Sequence, residues 1–243
     1  MQQQTRQQAQ QARDNSPPRS VVAVRPPEYF PRLAYLALMQ HAERFVLADT
    51  FQYSRQSFQN RARLRTPPRP RRSWQWISVP LKGGQHGRPI CEVEVDVRGA
   101  WQRSHWRAFR YNYQTAPFFD HYEAAFRDLF ETPWTSLGAL TCATTELLHR
   151  LFGLPSALVR ASTLPEAPGD LRALVGHGGT LLTSEAAAEH DCGQVASVQV
   201  MRYQEPVYQQ NFDGFEPGLS AVDLLFNYGP AAPKLIRRGV TIL

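Results

Sequence analysis

The fold is decided by Val21-Val22-Ala23-Val24, Leu33-Ala34-Tyr35-Leu36-Ala37-Leu38-Met39-Gln40-His41-Ala42 and Phe45-Val46-Leu47-Ala48-Asp49. The first is a short β-branched run closed by Pro26-Pro27, as expected of a buried strand entering a turn. The second carries Leu33, Leu36, Ala37 and Met39 to Ala42 at helical spacing, and the expected helix reaches Phe45 with Pro31 tolerated in its first turn. The third is again apolar and ends at an aspartate. Strand, helix and strand make a βαβ unit, whose right-handed parallel crossover brings the loops after Val24 and Ala48 to one sheet edge. Tyr29 and Asp49 become neighbours in that arrangement.

Strand and helix patterns keep alternating through the rest of the chain. Trp74 to Leu81 and the alternating Ile90 to Val97 read as strands, with Lys82-Gly83-Gly84-Gln85-His86-Gly87 a flexible connection between them. Trp101, His105, Phe109 and Tyr113 recur every four residues, the stripe of an amphipathic helix. Further helices are expected from Phe118 to Phe130 and from Leu137 to Phe152, the latter stopped by Gly153 and Pro155. Later units shorten: strands at Ala157–Ala161, Thr180–Thr183 and Ser197–Tyr203, and a helix over Asp170–Gly176 behind its aspartate cap. Ser220-Ala221-Val222-Asp223 has capping-box spacing before an apolar helix through Phe226. The expected fold is α/β, with a mixed or mostly parallel sheet flanked by helices in a single main domain over residues 21–243. Residues 1–20 are glutamine-rich and nearly free of large apolar groups, hence a disordered tail.

Charge is distributed unevenly. Residues 1–72 hold thirteen basic and four acidic side chains, +9, against fourteen and seventeen, −3, in the remainder. Apart from Lys82 and Lys234 every cation is arginine, whose planar fork suits carboxylate and phosphate. No aromatic-interleaved RNA motif or finger spacing is present, so no nucleic-acid partner is expected. Cys91, Cys142 and Cys192 form no CxxC pair, against a disulfide framework or a thiolate zinc site, and they fit a reducing compartment. The chain has no signal-like run and no stretch of about 20 apolar residues, so a cytoplasmic protein that does not span a membrane is expected.

P-loop, dinucleotide-fingerprint, nucleophile-elbow and HExxH motifs are all missing, and no metal or cofactor is expected. What remains is the polar and aromatic block from Tyr29 to Arg63. Asp49 at a strand end has the chemistry of a general base, and His105 that of an acid/base group. Asn60, Arg61 and Arg63 suit a phosphate or carboxylate, since arginine binds either bidentately. Gln52, Tyr53 and Tyr29 offer neutral donors for a sugar or amide, and Asn227 joins them from the last apolar helix. Against each stands a structural role: a loop cap for Asp49, a packed imidazole for His105, a solvated face for the arginines, a capping-box position for Asp223.

Pro27-Glu28-Tyr29-Phe30-Pro31, Phe45 to Asp49 and Gln52-Tyr53-Ser54-Arg55-Gln56-Ser57-Phe58-Gln59-Asn60-Arg61-Ala62-Arg63 resemble the WbqC-like protein family. The likeness continues through Trp76 to Pro80, then Trp101, His105, Asn112, Tyr113, Pro117, Phe118 and Phe119. It resumes at Tyr208, Gln210, Phe215, Pro217 and Leu219-Ser220, and ends with Asp223 to Asn227. Pro26, Arg32, Ala34 and Thr50 depart from the family pattern, which has Gln, Trp, Gly and a second Asp there. So does Thr183-Ser184-Glu185, in place of a Gly-rich turn. The resemblance implies surface-polysaccharide biosynthesis and a glycine or other acyl transfer onto an amino sugar, with a small-molecule or nucleotide-sugar substrate. A nucleotidyl or adenylyl transferase and a non-catalytic glycan- or partner-binding accessory protein are the alternatives.

Overall fold

A computed structural model describes residues 20–68, 70 and 72–243. The tail expected over 1–20 lies, apart from Ser20, outside them. Strand β1 (Val21–Arg25), helix α1 (Leu33–His41) and strand β2 (Arg44–Leu47) form the expected βαβ unit, with Val24 opposite Val46 in a parallel pair. The helix stops four residues short of Phe45. The amide of Ala42 closes it on the Leu38 carbonyl, and Arg44 already belongs to the sheet.

Two further elements follow, β3 (Arg61–Arg65) and β4 (Trp74–Ser78), an antiparallel ribbon separate from the main sheet. The segment expected as a strand over Ile90–Val97 is instead a single 3-10 turn, Ile90–Glu92, followed by isolated bridges from Val95 to Leu81 and from Glu94 to Ser136. Its apolar positions do point inward, yet its backbone groups are bonded to different neighbours in turn. The amide of Cys91 donates to Asp49, that of Val93 to Ile90 and that of Val95 to Thr135, so no continuous ladder forms.

Helices α2 (Trp101–Tyr113), α3 (Phe119–Glu131) and α4 (Leu137–Leu151) cover one side. They are followed by β5 (Ala157–Arg160), α5 (Leu171–Val175), β6 (Thr180–Ser184), α6 (Glu185–Asp191) and β7 (Val198–Tyr203). The chain ends with α7 (Val222–Tyr228), α8 (Ala232–Arg238) and β8 (Val240–Ile242). The main sheet runs β5-β2-β1-β6-β7-β8, parallel except for the β7–β8 pair. The result is a single α/β domain with a mostly parallel mixed sheet flanked by helices.

The largest core cluster explains why the stripe on α2 is aromatic. Phe30, Phe109, Phe126 and Phe226 are essentially solvent-free and meet at centroid distances of 4.9 Å for Phe30–Phe109 and 5.0 Å for Phe126–Phe226. Each such pair adds about 0.5–1.5 kcal/mol beyond the area it buries. Phe30 reaches this cluster from the loop after β1 by taking a left-handed φ of 48°. The loop is thus fixed by its own side chain, and Tyr29 beside it is buried too. Asp170 caps α5 as expected, accepting the Ala173 amide at 2.9 Å. Ser220 and Asp223 do not close a capping box on α7. The Ser220 amide is taken by the Arg63 carbonyl at the edge of β3, leaving the Asp223 side chain to turn inward to the Tyr208 hydroxyl at 2.9 Å.

Candidate functional site

The sheet order places β1 at the centre, with β2 on one side and β6 on the other, so the crevice of the topological switch lies between the carboxyl ends of β1 and β6. Side chains close it. Arg25 pairs with Asp191 at 3.0 Å, and both it and Asp191 bond to the Thr183 hydroxyl. Asp191, part of a sequence cluster with His190 and Cys192, is therefore held by an arginine. Among the described residues no group of three or more His, Cys, Asp or Glu side chains could hold a metal ion.

Three of the residues expected to bind substrate gather elsewhere, beside the β3–β4 ribbon. Tyr53, Asn60 and Arg61 line a cleft of about 390 Å³ together with Arg55, Gln56, Ser78, Lys82, Gly83, Gly84, Gln85 and His86. The local sequence explains its shape. Asn60 is pinned by bonds in both directions to Val79: its side-chain amide donates to the Val79 carbonyl at 3.1 Å, and its carbonyl accepts the Val79 amide at 2.8 Å. Opposite, the Lys82–His86 turn uses a left-handed Gly84, φ 73°, where a side chain would strain the backbone. Gln85 is buried beneath that turn, its side-chain amide donating to Gly83 and its oxygen accepting from the Glu94 amide. Tyr53 presents a phenol whose pKa is raised by desolvation, so it serves as a neutral donor. Lys82 shares its charge with Glu94 at 2.7 Å across an exposed surface, a pair that costs little to open.

Gln52 lies outside the cleft lining but close to the same turn, its Nε2 4.0 Å from where a side chain on Gly87 would begin. Arg63 points along the other end of the ribbon, stacked over Trp74 at 4.4 Å and Trp76 at 4.9 Å. Asn227 lines a separate polar pocket with Thr115, Gln209, Gln210, Asn211 and Tyr228. Its side-chain amide donates to the Asp223 carbonyl one turn earlier.

Asp49 and His105 do not line the cleft. The Asp49 carboxylate is buried and accepts two hydrogen bonds from Ser162, from its amide at 2.9 Å and its hydroxyl at 2.5 Å, tying the end of β2 to the turn after β5. His105 is buried against Trp101 and Tyr29. Desolvation lowers its pKa to about 4, while a bond to the Ser78 main chain opposes that drop. The Tyr29 hydroxyl lies 2.9 Å from its Nδ1. A neutral ring with hydrogen on Nε2 leaves Nδ1 to accept from the Tyr29 hydroxyl. Ser78, which lies beside His105, lines the cleft.

Two buried groups were not singled out as functional from the sequence. Arg65, 1% exposed, donates to the carbonyls of Thr66, Ser73 and Asp213 and binds the 212–213 turn to the ribbon. Asp223 is fully buried. Its pKa is pushed up to about 7 by desolvation, against the opposing hydrogen bonds of Tyr208 and Tyr113 and the charge of Arg65. Arg55, Lys82 and His86 were likewise missed as cleft residues, although Gly83-Gly84 between two polar side chains is a signal of close approach.

These features define an α/β protein whose carboxyl-edge crevice is closed and whose cationic cleft lies beside a two-stranded ribbon. The chain belongs to the WbqC-like protein family, whose model matches residues 26–235. It is similar to "Uncharacterized protein Rv1507c" of Mycobacterium tuberculosis, 28% identical over 233 residues that cover 89% of this chain and 97% of that protein. No solved structure matches. Among the described residues no helix is long and apolar enough to cross a membrane.

Proposed function

We propose that the protein is a cytoplasmic transferase of surface-polysaccharide or specialised-metabolite biosynthesis, moving an aminoacyl (glycine) or other acyl group onto an amino sugar carried by a nucleotide. The observation that carries this reading is the convergence of Tyr53, Asn60 and Arg61 on one cleft with Arg55 and Lys82. Guanidinium and ammonium groups there suit the phosphates of a nucleotide-sugar, and phenol and amide suit its hydroxyls. In the reaction the sugar amine attacks the acyl carbonyl, the leaving group departs, and the amine gives up a proton. Asp49 and His105 take the proton-transfer roles. Neither lines the cleft and both are held in buried hydrogen bonds, so those roles require a rearrangement that opens them to the ligand.

That same enclosure favours a second reading, a non-catalytic protein that binds an anionic glycan. Purified protein incubated with nucleotide-linked amino sugars and activated glycine separates the two. The transferase reading expects an acylated sugar whose formation falls in Asp49→Ala and His105→Ala. Wild-type product from both variants overturns those roles, and no product with retained sugar binding leaves the binding protein.

A further inference from the structure

The outer face of the ribbon is a ladder of arginines and aromatic rings. Strand pairing puts Arg63 opposite Trp76, Arg61 opposite Ser78 and Arg65 opposite Trp74, so the side chains of Arg61, Arg63, Arg65, Trp74 and Trp76 share one face, of which Arg65 is covered by the 212–213 turn, while Ala62, Leu64 and Ile77 face the core. The Arg61 guanidinium lies 4.2 Å from the Trp76 centroid, Arg63 spans Trp76 and Trp74, and Arg72 lies 5.4 Å from Trp74. At the other end Arg32 covers Phe58 at 3.7 Å, and Phe58 leans on Trp76 at 5.6 Å.

Charge pairing does not explain this arrangement. Arg32 has Glu28, but Arg61, Arg63 and Arg72 have no carboxylate partner among the described residues. The Nε atoms of Arg61 and Arg63 are buried and unbonded. The acids of the neighbouring turn, Asp213 and Glu216, do not pair with them either: Asp213 contributes its carbonyl to Arg65, and Glu216 its backbone to Gln210.

A guanidinium stacked on a ring is held at low entropic cost. Arg61 is fixed further by donating one terminal nitrogen to the Gln56 carbonyl, which leaves its other terminal N–H groups for a ligand. The rings themselves are occupied by guanidinium groups, which disfavours a ligand that binds by stacking its own bases, as single-stranded nucleic acid does. Arg61 belongs both to the ladder and to the cleft, so the two surfaces are continuous.

We infer that this ladder is an extended oxyanion-binding strip for an acidic polysaccharide chain, contacting its carboxylates through Arg61, Arg63 and Arg72 while the cleft takes the activated sugar. The inference rests on the sugar-binding reading of the cleft and shares Arg61 with it, while Arg63 and Arg72 lie outside the cleft lining. The test is a titration of the full chain with oligogalacturonate, followed by tryptophan fluorescence, with neutral dextran oligomers and oligouridylate as parallel probes. Saturable, salt-sensitive binding of oligogalacturonate is expected, with no response to dextran. Arg63→Gln and the exposed Arg72→Gln should each weaken it about tenfold, the loss of one charge-assisted hydrogen bond. Lys82→Gln should weaken nucleotide-sugar binding in the cleft and leave oligogalacturonate binding intact. Unchanged affinity in both arginine variants overturns the inference, as does tighter binding of oligouridylate than of oligogalacturonate at equal charge. Failure of nucleotide-sugar binding alone counts against the cleft and leaves the strip standing.

Discussion

The buried pair of titrating groups leads to a quantitative prediction for Asp223→Asn. Asp223 binds its proton up to about pH 7 in the folded chain against an ordinary value of 3.8, whereas His105 binds one only below about pH 4 against an ordinary 6.5. Between pH 3.8 and 7 the folded state therefore holds one more proton at Asp223 than the unfolded chain does, and stability falls as pH rises, by roughly 1.4 kcal/mol per pH unit. Between pH 4 and 6.5 the unfolded chain holds one more proton at His105, and stability rises with the same slope. The totals are about 4 kcal/mol lost through Asp223 and about 3 kcal/mol gained through His105, and over their common range they nearly cancel. Asparagine at 223 keeps an oxygen for the Tyr208 hydroxyl but no longer titrates. Urea unfolding from pH 4 to 8 should show the stability difference between variant and wild type moving by about 4 kcal/mol in favour of the variant as pH rises. The rising slope due to His105 should emerge in the variant below pH 6.5. A difference that stays constant from pH 4 to 8 would refute the reasoning, because a packing defect alone has no proton dependence.

Other substitutions probe how the scaffold holds the site. Gly138→Ala places a methyl group 2.6 Å from the Cys91 Cα and 3.0 Å from its amide nitrogen, both backbone atoms, so α4 must shift. A loss of about 1–3 kcal/mol is expected, read as a lower urea midpoint at unchanged m value. Asp49→Ala strips Ser162 of both its acceptors and should cost about 2–4 kcal/mol in the same assay, with Asp49→Asn recovering part of it. Arg65→Met leaves the Asp213 carbonyl without its side-chain donor, while Ser73 keeps the Thr66 amide; a loss of about 2–4 kcal/mol is expected, together with faster amide exchange over residues 212–218.

Periodicity carried the parts of the fold where one face is buried. Trp101, His105, Phe109 and Tyr113 read as a helical stripe and are one, and the β1-α1-β2 unit followed from two apolar runs of strand length. The ribbon strand β3 was missed although Arg61-Ala62-Arg63-Leu64-Arg65 alternates perfectly, since three arginines on one face look like a solvated loop until Trp74 and Trp76 are placed opposite them. The segment Ile90–Val97 misled for the converse reason: its alternation arises from packing without a partner strand. Of the expected site residues, Tyr53, Asn60 and Arg61 proved to share a cleft because one loop and one strand carry them together. Tyr29 and His105 proved to share a hydrogen bond, and Asp49 a tie to Ser162, partnerships that depend on distant segments and leave no local trace. Asp223 resembled a cap because spacing alone cannot show that Arg63 already holds the Ser220 amide.

The central claim is that the cleft around Arg61 and Lys82 binds an activated amino sugar through its phosphates. Calorimetric titration of the full chain with uridine diphosphate glucosamine tests it directly. The account predicts one site, affinity that falls with added salt, and a loss of about tenfold or more in Arg61→Gln and again in Lys82→Gln. Binding of equal strength in the wild type and both variants, or no heat at millimolar ligand, would contradict it.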